Sequence, residues 1–385
     1  MRPHVDQRHE RVLELVRERG SLRVADLAAE LGVSAVTLRR DVEALAGQGR
    51  VHRLHGAVVW PGGVSTVGPR TRQEPAESTA STASTASTGS AESAESAEGV
   101  VIGMIVPTTA SLFADIVRGA REAVGAQGGR LVLGVSGYVD TEDAVQAGHL
   151  LAGGAEGLLV APSWSGGVPV GGQEQWLLDR GVPTVLVERS APPGNPAAAL
   201  DRVRTDRAHG AAVAVGHFAA LGHHRITAVL QEGPHAAQIS AGYDSAVRSL
   251  GLDHARGAPS VREHGDYDSS VDYLVDAVRE CGVTAALVHS DEDAIVLVPR
   301  LQARGIRVPD DLALIAYDDE VAPLADVPLT AVAPPKRAVG EAAAKLLLQR
   351  LAERGSGRRP APRQHVELLP ELRIRSSCGA KTPAH

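Results

Sequence analysis

Thr37, Arg39 and Arg40 fall within V-S-A-V-T-L-R-R-D (33–41), where a hydroxyl and two guanidinium groups can leave the outer side of one helix. These groups suit phosphate oxygens and base edges, because arginine offers a rigid fork of donors and threonine a compact hydroxyl. Ser34 is a good N-cap for that helix, and Gly32 can take the tight turn before it. Further on, Arg53 and His55 stand in R-L-H-G (53–56), inside a short strand-turn-strand over Arg50–Val59. A single helix pair with a basic face is usually no more than a solvated surface. Here the context shifts the reading. An amphipathic helix at Arg8–Arg19 carries Val12, Leu13, Leu15 and Val16 at helical spacing, and helices at Arg23–Leu31 and Ser34–Gln48 follow before the strand pair. Three helices and a wing set the third helix in a DNA major groove, with Ser34, Arg53 and His55 positioning the phosphate backbone.

Other chemistry finds little support. No G-x-S-x-G elbow, G-x-x-x-x-G-K-[ST] loop or G-x-G-x-x-G turn occurs, so neither a nucleophile nor a phosphate cradle is expected. His223 and His224 are adjacent, and adjacent side chains point apart on most backbones. No H-x-x-E-H frame accompanies them, so a structural role is expected and no metal. Asp318 and Asp319 form an acid pair, yet nothing around them marks a glycosidase. No catalytic residue and no cofactor is expected.

At 385 residues, with 43% hydrophobic and 22% charged residues, the chain is long enough for two or three units with sizeable cores. The net charge is −7, while the first sixty residues hold ten arginines against eight acids, so the acidity lies downstream. Cys281 and Cys378 form no framework, Met1–Gly20 has no apolar h-region, and no apolar run reaches the ~20 residues of a membrane span. A reduced, cytoplasmic setting without membrane contact is the expectation. The three lysines beside thirty-six arginines are read as compositional bias.

Between Pro61 and Gly99 lies S-T-A-S-T-A-S-T-G-S-A-E-S-A-E-S-A-E, which has almost nothing large and apolar to bury and is expected to be a disordered tether. From Val100 the pattern changes. Apolar runs at Val100–Val106, Arg130–Gly134, Gly157–Ala161 and Pro183–Glu188 alternate with helical stretches, and the rhythm repeats at Ile226–Leu230, Ala258–Glu263, Ala285–His289 and Leu312–Ala316. Such alternation predicts βαβ units, parallel sheets and two similar lobes.

The head resembles the DeoR-type winged helix-turn-helix. The residues that carry the likeness are Arg11, Gly20, Val24, Leu27, Leu31, Val33-Ser34, the run Thr37-Leu38-Arg39-Arg40-Asp41, then Leu45, Gly49 and Arg53-Leu54-His55-Gly56, with Ala57 where that family usually has a second glycine. The remainder resembles the effector domain of the LacI family, itself similar to periplasmic sugar-binding proteins. This likeness rests on I-G-M-I-V-P (102–107), F-A-D-I-V-R-G (113–119), G-L-L-V-A-P-S (157–163), V-P-T-V-L-V-E-R (182–189), T-D-R-A-H-G-A (205–211), L-G-H-H-R-I (221–226), A-G-Y (241–243) and G-I-R-V-P-D-D-L-A-L-I-A-Y-D-D (305–319). The expected fold is therefore α/β, a small winged helix-turn-helix head joined to a two-lobed periplasmic-binding-protein-like domain with parallel sheets. The expected division is 1–60 for the head, 61–99 for the linker, 100–377 for the ligand-binding domain and 378–385 for a tail. Within that domain the resemblance implies one lobe from about 100–205 and 318–354, and another from about 206–317 and 365–375.

A two-lobed sensor binds between its lobes, at the carboxyl ends of parallel strands. A small polyol calls for carboxylates and arginine on its hydroxyls and an aromatic ring on its C–H face. The resemblance implies such roles for Phe113 and Tyr267, with core packing the alternative, and for the carboxylates Asp206, Asp291 and Asp318. Arg189 ends an apolar run and serves either ligand hydroxyls or a ligand carboxylate, with a hinge ion pair the alternative, Ser163 offers a hydroxyl, and Asp319 is alternatively an N-cap. The family usually carries an arginine three residues before its G-Y pair. Ile239 stands there, beside Gln238, which points to a different ligand or to hydrogen bonds from Gln238.

The expected function is a DNA-binding transcription regulator, a repressor of carbohydrate uptake or catabolism genes under a sugar-like effector, working as a homodimer on a roughly palindromic operator. The alternative is an activator or dual regulator answering a non-sugar ligand such as a nucleoside.

Overall fold

The chain forms two units, residues 1–92 and 93–385. The computed structural model describes residues 99–110, 112–254, 259–263, 265–356 and 361–380, and in the first unit 9, 11–13, 15, 21–23, 27, 31, 38, 42, 45, 52–54 and 57–59.

In the first unit Val12, Leu13, Leu15, Leu27, Leu38, Val42 and Leu45 are helical and buried, the apolar side that the helical spacing requires. Strands β1 (Ser21–Arg23), β2 (His52–Leu54) and β3 (Ala57–Val59) pair antiparallel in the order β1-β3-β2, with Ser21 opposite Val59 and Leu54 opposite Ala57. Ser34, Thr37, Arg39, Arg40 and His55 lie outside the described residues, as does the side chain of Arg53.

The second unit carries two sheets. The first lobe runs β4 (Val101–Val106), α1 (Leu112–Gly125), β5 (Arg130–Val135), α2 (Asp140–Ala152), β6 (Gly157–Val160), the short α3 (Gln175–Leu178), β7 (Thr184–Val187) and β8 (Asp201–Thr205). The second runs α4 (Arg207–Ala220), β9 (Arg225–Gln231), α5 (Ala236–Ser249), β10 (Asp253–His254), β11 (Ser260–Arg262), α6 (Tyr267–Cys281), β12 (Ala285–His289), α7 (Asp291–Ala303), β13 (Ala313–Tyr317) and β14 (Thr330–Ala333). Helix α8 (Lys336–Gly355) then returns to the first lobe, followed by β15 (His365–Leu368) and β16 (Glu371–Arg373). Sheet order is β15-β8-β7-β6-β4-β5 in the first lobe, all parallel. In the second it is β10-β9-β12-β13-β14-β16, with β11 also on β9 and only β14–β16 antiparallel among the described pairings. Strands such as β6, β7, β12 and β13 are buried along their whole length, which is why they read as unbroken apolar runs.

The sequence-based division between lobes needs correcting. Thr330–Ala333 belongs to the second lobe, parallel to Ile315–Tyr317, and His365–Leu368 belongs to the first, parallel to Arg202–Thr205. Thr330–Ala333 is fully buried and continues the ladder. The chain leaves only at Pro334-Pro335, which has no backbone N–H to extend it. Helices α1 and α8 then cross with their backbones in contact. A Cβ on Gly119 would fall 2.0 Å from the Arg337 carbonyl oxygen, and one on Gly340 1.9 Å from that of Ile116, so any larger residue forces the helices apart.

Candidate functional site

The carboxyl ends of β4, β5 and β7 in the first lobe face those of β9, β12 and β13 in the second. Between them lies a cavity of about 230 Å³, walled on one side by Thr108, Phe113, Tyr138 and Arg189 and on the other by Gln231, His235, His289, Asp291, Glu292 and Asp318. Tyr138, Glu188 and Asp318, which follow β5, β7 and β13, hold positive φ angles of 63°, 55° and 89°. Non-glycine residues adopt that region at a cost of about 1–3 kcal/mol each, and such strain gathers where loops are fixed for binding.

A chain of buried ions crosses from one lobe to the other. Glu188, at the end of β7, accepts hydrogen bonds on Oε1 from the Thr205 backbone N–H (3.1 Å) and hydroxyl (2.7 Å), and its Oε2 lies 3.5 Å from Arg207 Nη2. Arg207, the first residue of α4, donates from Nη1 to Asp318 Oδ1 at 3.1 Å, and Asp318 Oδ2 is 3.4 Å from His289 Nε2. The guanidinium also covers the Tyr317 ring, while the Tyr317 hydroxyl donates to the Arg207 carbonyl at 3.0 Å. Burial alone would raise the Asp318 carboxyl. The Arg207 charge and the His289 hydrogen bond outweigh it and hold the group far below the usual carboxylate range.

Asp291 opens α7. Its Oδ2 accepts the Val321 and Ala322 backbone N–H groups at 2.7 and 2.9 Å, which ties down the loop after β13. Burial raises this carboxyl to about 6, with the Asp318 charge adding to the rise against the pull of those N–H groups. Its Oδ1, together with Nδ1 of His235 and Nδ1 of His289, is buried with no hydrogen-bond partner among the described residues. His235 is kept neutral by burial first, then by the charges of Arg207 and Arg189. On the opposite wall Arg189 is 2% exposed, with its guanidinium 5.9 Å from the centre of the Phe113 ring. Among the described residues it donates to two backbone carbonyls, from Nε to Pro162 and from Nη1 to Glu188, both at 3.0 Å. Burial lowers its pKa to about 10, against the pull of the Glu188 carboxylate.

Phe113, Arg189, Asp291 and Asp318 thus share one cleft. Ser163 does not join them. Its backbone N–H and hydroxyl both donate to Asp143, at 2.7 and 3.2 Å, and its Oγ lies 2.9 Å from Ser136 Oγ, so the hydroxyl serves the interior of the first lobe. Asp206 caps α4 instead, accepting from the His209 N–H at 2.9 Å. Tyr267 lines a smaller depression beside the cleft, of about 10 Å³, beneath the Arg300 guanidinium. Asp319 is no N-cap. It anchors the C-terminal strand through Arg373 (2.8 Å) and Arg375 (2.6 Å). Ile239 packs in the core of the second lobe, and Gln238 is not among the cleft-lining residues. His223 bonds Thr284 at 2.9 Å and stands edge-on to Phe218. Sequence reasoning passed over Tyr138, His235 and His289 in the cleft and Glu188 and Arg207 behind it. The one available signal was a charged pair just past a strand, E-R at 188–189 and D-R at 206–207.

Comparison with known proteins adds a second line. A DeoR-like helix-turn-helix domain matches residues 8–62, and a periplasmic binding protein-like domain matches residues 215–378. The transcriptional regulator CelR of Thermobifida fusca is 30% identical over 245 residues, 62% of this chain and 69% of that protein. The arabinose metabolism transcriptional repressor of Geobacillus stearothermophilus is 26% identical over 269 residues, 63% of this chain and 68% of that repressor. A solved complex of CelR with cellobiose superposes with a TM-score of 0.60 at 26% identity, covering 72% of this chain and 84% of that one.

Proposed function

This chain belongs to the LacI family of transcription regulators, and on that premise we propose that it represses carbohydrate uptake or catabolism genes under a small hydroxylated effector held between its lobes. It is a regulator and not an enzyme, and no described helix is long and apolar enough to cross a membrane. The observation that carries the effector reading is that His235, His289 and Asp291, whose Nδ1, Nδ1 and Oδ1 atoms are buried with no hydrogen-bond partner among the described residues, line one cavity opposite Phe113 and Arg189. Such atoms are costly to leave unsatisfied, and ligand hydroxyls would satisfy them. That two relatives are named for arabinose metabolism and solved with cellobiose supports the same class.

In this reading Thr37, Arg39 and Arg40 meet bases and phosphates, Ser34, Arg53 and His55 position the DNA backbone, and two copies meet a roughly palindromic operator. Coupling runs through the ion chain. Glu188 stands on one lobe while Arg207 and Asp318 stand on the other, so any change in lobe angle alters the 3.5 Å Glu188–Arg207 separation. An effector that touches both walls favours one angle and thereby shifts the population of DNA-binding states.

The test is a gel-shift titration at fixed salt on the DNA upstream of the chain's own gene, with a panel of sugars and sugar derivatives. A specific shift released by one compound supports repression, and a shift strengthened by it supports activation. Arg40→Ala should weaken that shift at least about tenfold and leave effector affinity unchanged. Loss of both together would sink the two-module reading.

A further inference from the structure

The two walls of the cleft offer opposite chemistry. The second lobe presents acceptors. His289 faces the Asp318 carboxylate through Nε2, so that nitrogen carries the proton and Nδ1 is left as a lone pair. Asp291 Oδ1 is a second acceptor, and Glu232, Glu292 and Glu320 stand around the same wall. Asp318 is compensated by Arg207, and Glu320 by Lys336. The first lobe presents one cation. Arg189 is buried beside the Phe113 ring and bonded to two backbone carbonyls, and no carboxylate of the described residues lies within ion-pair distance of it. The nearby acids are otherwise engaged, Glu188 by Thr205 and Arg207, and Asp143 by Ser163. A buried guanidinium satisfied only by neutral carbonyls lacks the counter-charge that normally accompanies it in a protein interior.

We infer that the effector supplies that charge: the ligand is an anionic monosaccharide derivative, its carboxylate or phosphate on Arg189 and its hydroxyls toward Asp291 and His289. This rests on the effector reading above and narrows it. The 230 Å³ cavity suits a single sugar ring or open-chain polyol. The location of the cation is also informative. With Ile239 in the core, Arg189 is the arginine that lines this cavity, and it does so from the first lobe.

Isothermal titration of the full chain with matched pairs tests this: aldonates, uronates and hexose 6-phosphates, each beside its neutral parent sugar. Carboxylates and phosphates run as separate series, so the result also tells which anion is used. At least one anionic probe should bind about tenfold or more tighter than its parent, since a charge-assisted bidentate contact replaces a neutral one. Arg189→Gln should reduce that ratio to near one, because it weakens the anion far more than it weakens the parent. The wild-type comparison stands even where the variant fails to fold. A neutral parent that binds as tightly as its anion overturns the inference and leaves the effector reading intact. Binding of neither series, with operator binding retained, overturns both.

Discussion

Arg350 and Arg189 are both buried in the first lobe, one at each end of its sheet, and their surroundings treat them in opposite ways. Arg350 grips Asp201 through two parallel hydrogen bonds of 2.9 and 2.8 Å, adds Glu353 at 2.9 Å, and donates to the carbonyls of Ala361 and Pro362. Asp201 in turn takes Arg363 and the Gln364 N–H. Charge and hydrogen bonding both close, and the cluster fastens α8 and β15 to β8. At the other end Arg189 has its geometry fixed and its charge left open. The difference separates fastening from recognition: a buried ion whose partners are complete holds the fold, and one whose partners are incomplete awaits something from outside.

That distinction can be broken at the fastening end first. Arg350→Ala leaves the buried Asp201 with the exposed Arg363 and the Gln364 N–H to answer it, and should cost about 3 kcal/mol in urea unfolding followed by tryptophan fluorescence. In whatever fraction folds, the preference for anionic over neutral probes should persist. If Arg350→Ala abolishes that preference while the fold survives, the separation between the two ends is wrong.

A smaller effect sharpens the middle case, Asp291, which is half fastening and half open. A carboxyl raised from 3.8 to about 6 by burial stabilises the folded chain only while protonated. Compared with Asp291→Asn, the wild type should therefore lose stability as pH climbs from about 4 to about 6 and keep a constant deficit above that, of about 3 kcal/mol. The amide can still accept the Val321 and Ala322 N–H groups through its oxygen. Parallel stability curves for the two proteins across pH 4–7 would contradict the argument.

The smallest effect concerns Asp206, whose carboxylate is spent on a helix cap. Asp206→Ala should cost about 1 kcal/mol in the same unfolding measurement and leave probe affinity unchanged. A loss of affinity without a loss of stability would return Asp206 to the cleft.

These contrasts also explain what could be read in the sequence. Strands buried on both faces, such as Gly157–Val160 and Ala313–Tyr317, declare themselves as apolar runs. Asp201–Thr205, D-R-V-R-T, does not, because Asp201 and Arg204 find partners more than a hundred residues away, in Arg350 and Glu367. The lobe assignment of Thr330–Ala333 failed for a related reason: pairing with Ile315–Tyr317 is a long-range fact that four small residues cannot signal. In the cleft, Phe113, Arg189, Asp291 and Asp318 were legible as polar or aromatic residues just past a strand. Tyr138 and His235 sit in loops with no periodicity to read. For Ser163 and Asp206 the residue type was right, but nothing local said which way the side chain would turn.

The path of the chain has one further consequence. It passes between the lobes three times, after Thr205, at Pro334-Pro335 and at Leu369-Pro370, so each lobe is stitched from separated pieces of sequence. No single cut-and-paste of a gene segment can exchange one lobe for a foreign one. The DNA-reading unit, by contrast, is one uninterrupted stretch ahead of residue 93. A single recombination event suffices to replace it, and a DeoR-like head in front of a LacI-type sensor is the kind of chimera that such an asymmetry permits.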